Sequence, residues 1–226
     1  MRTLLVVMSL LVACTVTAQD STAVQAKKKK KESKPLIGLG IKGGVNFANV
    51  TNAKSINGSN RTGFMIGAFF APPSKSIISS RTELIFSRQG YDFKNGNNTG
   101  SVDLNYLILP QLMGINITKY VQLQIGGQMA YLLNAKADSS NNSGSGSGSN
   151  PYGKLMDLYN RFDFGAAGGI EIYPVKNVLI GARYNISFGK LYKDPSEYQG
   201  GSGQPSFFPS IDAKNNVVQL FLGLRF

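Results

Sequence analysis

The chain has 226 residues, among them 26 Gly, 13 Phe and 10 Tyr, with one Cys, no Trp and no His. That composition suits one domain rich in strands and turns, and it removes Ser-His and Cys-His nucleophilic pairs and histidine metal sites from consideration. The formal charge of +12 invites a nucleic-acid reading, but Lys27 to Lys31 and Lys34 concentrate much of the excess in one short run, and the remaining basic residues are scattered with no stripe of interleaved aromatics.

Residues 1–18 read as a secretory signal: Arg2 gives a positive start, Leu4 to Ala13 is apolar, and Val16-Thr17-Ala18 sets small residues before Gln19. The apolar run is too short for a membrane-spanning helix, which takes ~20 residues. Leu11-Val12-Ala13-Cys14 resembles a bacterial lipoprotein cleavage box, which would leave a lipid anchor on Cys14. Cleavage after Ala18 is the preferred reading, because the Ala18-Gln19 junction is a good peptidase site; the mature chain then has no cysteine. Residues 19–35 form a basic linker, solvated and disordered, with a polybasic tether to anionic lipid as the sharper alternative.

From Ile37 onward apolar and polar residues alternate with period two, the signature of half-buried strands. Eight strands are predicted, over 36–48, 61–71, 76–92, 101–114, 119–133, 158–172, 177–190 and 214–226. Connections alternate in length. Short turns fall at 72–75, 115–118 and 173–176; long polar loops fall at 49–60, 93–100, 134–157 and 191–213. This even-stranded meander predicts an eight-stranded antiparallel up-and-down transmembrane β-barrel over 36–226, with both termini on the periplasmic side beside the short turns.

A soluble barrel also alternates, so the choice of face decides. In the last strand Val218, Leu220, Leu222, Leu224 and Phe226 point one way, and Gln219, Gly223 and Arg225 the other. The polar faces are rich in glycine, as a narrow filled interior requires. They also carry Lys42, Arg81, Arg161, Arg183 and Arg225 against Glu83, Asp103, Asp163 and Glu171, which are expected to form a hydrogen-bonded lumen network. Turning that face to lipid would cost ~2–4 kcal/mol for each basic residue near the midplane. Tyr120 and Tyr173 at the short turns, with Tyr91, Tyr131 and Tyr159 at the long loops, are expected to form two aromatic girdles. Arg88 on the apolar parity and Pro110 within the fourth strand are placed near strand ends.

Five segments carry a family likeness: Leu39 to Phe47 (LGIKGGVNF), Glu83 to Gly90 (ELIFSRQG), Asn105 to Pro110 (NYLILP), Gly181 to Tyr184 (GARY) and the terminal Phe226. With them the chain resembles the PorT-like outer-membrane barrel family of Bacteroidetes, whose namesake acts in type IX secretion and gliding. The resemblance implies an outer-membrane location. It also implies that Leu220, Leu222, Leu224 and Phe226 are read by the barrel-assembly machinery.

No catalytic constellation emerges, since Asp163 and Glu171 lie too far apart along one strand to share a proton. The Gly38 to Gly44 stretch is strand glycine, because no helix or Gly-Lys-Ser/Thr follows it. The expectation is a non-enzymatic protein with no cofactor, structural or accessory in an envelope or secretion assembly. Its partners would be membrane lipid, the assembly machinery and envelope proteins, and not nucleic acid. The alternatives are a surface-binding module acting through the long loops and a small-solute channel. In the loops, Ser139 to Asn150 reads as a flexible spacer; Tyr192, Tyr198, Phe207 and Phe208 are the candidate contacts.

Overall fold

The computed structural model describes residues 38–51, 59–74, 76–95, 98–139, 159–191 and 214–226. Eight strands follow in order: β1 (Leu39–Thr51), β2 (Ser59–Phe70), β3 (Ile78–Asn95), β4 (Asn98–Asn116), β5 (Val121–Ser139), β6 (Phe162–Val175), β7 (Val178–Ser187) and β8 (Lys214–Arg225). Each pairs antiparallel with its neighbours in sequence, and β8 pairs with β1, closing the predicted barrel. Closure satisfies the backbone without water, the condition for any chain that crosses hydrocarbon. The seam closes at the turn end, where Gly38 N donates to Phe226 O at 3.3 Å and Gly38 O accepts from Ala71 N at 2.7 Å. Gly38 makes that corner at φ 82°, a region that side chains disfavour.

Polarity is inverted relative to a water-soluble protein. Ile41, Ile66, Ile125, Phe164, Ile180 and Leu222 are exposed, whereas Lys42, Arg81, Glu83, Glu171, Arg183 and Gln219 are buried inside. The outward residues form an apolar belt, running from Leu39 to Phe47 on β1 and from Phe226 back to Val218 on β8.

A line drawn across the strands through the register gives the barrel its tilt. It passes from Leu39 to Phe70, Thr82, Gln111, Gly127, Ala166, Ile186 and Asn216, and returns to β1 at Asn49. The return lies ten residues further along β1. Eight strands with that shift tilt by ~40°, so the staggered belt stands ~25 Å tall, the hydrocarbon height of such barrels.

Several strands outrun their predicted ends: β5 by six residues, β1, β3, β4 and β6 by three, and β2 by two. The polar stretch 93–100, expected as a long loop, is mostly strand: Phe93 pairs with Gly100, Lys94 with Thr99 and Asn95 with Asn98. Only positions 96 and 97 separate β3 from β4, and the pair Gly96-Asn97 is a two-residue hairpin signal in the sequence that the loop reading passed over. β5 likewise continues through Asn134 to Ser139.

Two further expectations are corrected. Pro110 lies well inside β4, and the β3–β4 ladder omits pairs for Glu83 and Leu84 between Thr82↔Gln111 and Ile85↔Ile108, where proline offers no N–H. The girdles are only partly as predicted. Tyr120 is exposed at the turn end, and Tyr131 packs on Phe162 at 5.0 Å between ring centroids. Tyr91 and Tyr159 are buried instead, with their hydroxyls 3.1 Å apart, and Tyr173 turns its hydroxyl inward. Parity explains them: Tyr91 follows Ser87 and Gln89, and Tyr173 follows Glu171, on the inner face.

Candidate functional site

The middle of the interior is filled by side chains, with Glu83 at its centre. Lys42 Nζ donates to Glu83 Oε2 at 2.6 Å. Arg183 donates to the same carboxylate through Nη1 at 2.6 Å and Nη2 at 3.0 Å, and Nη2 also donates to Gln124 Oε1 at 2.7 Å. Arg81 lies 3.7 Å from Glu83 Oε1 and donates to Glu171 Oε1 at 2.6 Å and to Tyr173 OH at 2.8 Å. Tyr173 OH in turn donates to Glu171 Oε2 at 2.7 Å.

Three cations therefore share two carboxylates where none of the five side chains is more than 4% exposed. Charges so far out of water persist only when paired and hydrogen-bonded. Two inward aromatic rings also lie against the cations, while Arg81 Nε and Arg183 Nε are buried without a hydrogen-bond partner among the described residues. The Phe221 ring lies 4.3 Å from Lys42 Nζ and 5.3 Å from the Arg183 guanidinium, and the Phe69 ring 4.6 Å from that of Arg81.

Toward the loop end a neutral amide layer follows. Asn46 Nδ2 donates to Ser87 Oγ at 2.9 Å, Gln219 Nε2 to Asn46 Oδ1 at 3.1 Å, and Asn215 to Gln89. Tyr91, Leu104, Tyr106, Leu132 and Tyr159 cap it as an apolar layer. At the turn end the bore opens into a cavity of about 560 Å³ lined by Asn116, Lys119, Gln122, Tyr173, Lys176 and Arg225, among others.

The predicted nine-residue network divides accordingly. Lys42, Arg81, Glu83, Glu171 and Arg183 come together as expected. Arg225 stands apart in the turn-end mouth, donating to Ala71 O at 2.8 Å, and Asp163 Oδ1 accepts from Gly189 N at 3.1 Å with no cation bridged to it among the described residues. Arg161 is exposed in the bend just before β6, outside the alternation. Asp103 faces outward, because it is the even residues of β4, Val102, Leu104, Tyr106 and Ile108, that fill the core.

Asp103 belongs to an ion cluster at the loop-end edge of the belt that sequence reasoning missed. Arg61 Nε donates to Asp103 Oδ1 at 2.6 Å and Nη1 to Asp92 Oδ1 at 2.7 Å, while Arg88 pairs with Asp103 from the outer face. Arg61 reaches Asp103 over Gly90, beside the register shift between Asn60 and Met65. Its clue was the bare parity of Arg88, which places a charge where the belt ends. The inward aromatics Phe69 and Phe221 were missed because they sit on the polar parity. Tyr192, Tyr198, Phe207 and Phe208, the 1–18 signal, Cys14, the 19–35 linker and most of the proposed spacer lie outside the described residues.

A closed barrel with a charged, filled bore and an apolar belt defines a transmembrane β-barrel of the outer-membrane type. The sequence profile described as Outer membrane protein beta-barrel domain matches residues 18–193, and the chain belongs to that family of outer-membrane proteins. Among solved structures it is similar to Neisserial surface protein A, with a TM-score of 0.50 and 12% identity over 85% of this chain and 100% of that one. It is also similar to Ail, the attachment invasion locus protein of Yersinia pestis, with a TM-score of 0.46 and 16% identity over 84% of this chain and 99% of that one. No curated protein matches the sequence. The likenesses concern the fold. The family match is broader than the PorT-like resemblance and does not single out that branch.

Proposed function

We propose that this is a non-enzymatic outer-membrane scaffold that presents its loop end as a binding surface. One observation carries the reading: the bore is packed with ion pairs, amides and aromatics, while β3, β4 and β5 continue past the belt and stay paired to Asn95, Asn98 and Ser139. A filled bore favours rigidity over passage, and rigid strands beneath variable loops suit recognition. The test replaces 140–158 and 192–213, separately, by short turns in cells that display the protein. Adhesion to protein- and polysaccharide-coated supports is expected to fall with at least one replacement, and unchanged adhesion with both refutes the reading. Planar-bilayer recordings are expected to show no steady large conductance.

A second reading, an accessory role in an envelope or secretion assembly of the PorT-like kind, is favoured by the turn-end mouth. Lys119, Lys176 and Arg225 line its cavity together with neutral polar groups. In this arrangement both termini and the mouth face the periplasm, and the barrel-assembly machinery reads the C-terminal strand. Affinity purification of the tagged protein in mild detergent tests it, because reproducible recovery of secretion or motility components is the outcome this role requires.

A further inference from the structure

Gln111 breaks the rule that governs the outer face. The register line leaves the turn-end edge of the belt at Leu39 and reaches its loop-end edge at Asn216, and Gln111 is third of the six residues between them. Gln111 therefore points outward near mid-height, ~11 Å from the turn-end edge and ~14 Å from the loop-end edge of a ~25 Å belt, beyond reach of water or headgroups. Thr82 Oγ1, beside it on β3, donates to Gln111 Oε1 at 2.6 Å. The amide nitrogen has no hydrogen-bond partner among the described residues. Turning the amide over changes which half is unpaired, not that one is, and an unpaired amide in hydrocarbon is expensive.

The ground around it is low. Its register partner on β5 is Gly127, where an added Cβ would meet nothing nearer than 3.9 Å, and Ala166 of β6 comes next in the row. Another barrel can approach Gln111 closely from that side. Leu109 and Met113, its neighbours on the same face of β4, supply apolar contact.

We propose that two copies of this chain pair in the plane of the membrane across the β3–β4–β5 face, with Gln111 opposite Gln111. The missing partner must both donate and accept, and it must lie at mid-belt depth. All copies insert with the same orientation, so a two-fold axis along the membrane normal brings two such amides together at equal depth. Each Nε2 then donates to the lone pair on the other Oε1 that Thr82 leaves free. This pairing goes beyond the binding reading above and is independent of it.

The experiment is oxidative cross-linking of the full chain in native outer membranes. It compares Met113→Cys beside Gln111 with Leu222→Cys on the opposite face and with the parent chain as the Cys14 control. Met113→Cys is expected to give a covalent dimer, and Leu222→Cys none above the parent. Adding Gln111→Leu is expected to weaken self-association on the order of tenfold, measured as dimer yield against protein-to-lipid ratio. Unaltered heat-dependent migration in dodecyl sulfate would confirm that the variant folds. Equal cross-linking at the two sites, a product with some other protein alone, or dimerisation indifferent to Gln111→Leu overturns the proposal.

Discussion

The ring of Phe221 on β8 occupies the space that a Cβ on Gly181 of β7 would need. The register sets Gly181 opposite Phe221 on the inner face, and the ring in turn lies against Lys42 and Arg183. Gly181→Ala is therefore expected to destabilise the barrel by ~1–3 kcal/mol through overpacking. Combined with Phe221→Leu it should cost less than the two changes summed. Gly168→Ala on the outer face, where an added Cβ meets only Gln124 O at 3.8 Å, is expected to stay within ~0.5 kcal/mol. Urea unfolding in lipid vesicles, followed by circular dichroism because the chain has no tryptophan, checks all four variants.

Glu83 is the hub of the plug, and its loss strands Lys42 and Arg183 together. Glu83→Gln is expected to cost ~3–5 kcal/mol, the range for a buried ion left without its partner. Lys42→Met should cost less than half as much, because Glu83 keeps both Arg183 hydrogen bonds and the nearby Arg81. The reverse order in the same unfolding assay would show that Glu83 is not the centre of the network.

The loop-end cluster should behave differently, since the Arg88 side chain is 45% exposed and that of Asp103 17%. Solvent screens such pairs, so Asp103→Asn is expected to cost no more than ~1 kcal/mol. The cost should shrink as salt is raised from low to physiological ionic strength. A large, salt-independent loss would mean that the cluster is shielded from water.

Phe226 ends the outward row of β8, exposed to lipid at the turn end, and its backbone carbonyl closes the seam to Gly38. Phe226→Ser keeps that backbone bond and removes only the ring. Expected is slow assembly in cells, seen as delayed appearance of the heat-modifiable form after a pulse of synthesis, with near-normal urea resistance of the barrel that does form. Normal assembly kinetics would remove Phe226 as an assembly signal.

Strand number, closure and the inside-outside assignment were legible because period two is local: Val218, Leu220, Leu222 and Leu224 name a face without reference to any other strand. The charged centre was legible for the same reason, as Lys42, Glu83 and Arg183 share one parity. Tyr91 and Tyr173 were legible too and were misread, since parity with Gln89 and Glu171 already turned them inward. Past the belt the signal fades. At 93–100 and 134–139 large apolar residues are scarce, and little in composition separates a strand there from a loop except a turn pair such as Gly96-Asn97.

What the sequence by itself determined is which residues point into the barrel and which meet lipid, because hydrocarbon outside and close packing inside impose opposite polarities on alternate positions. Only the tertiary structure decided who meets whom. The ten-residue shift in register sets the height of every residue, so it alone places Arg183 on Glu83, Phe221 over Lys42, Arg61 on Asp103 and Gln111 at the middle of the membrane. Shear is a property of the closed sheet, the sum of all eight pairings, and no single strand carries it.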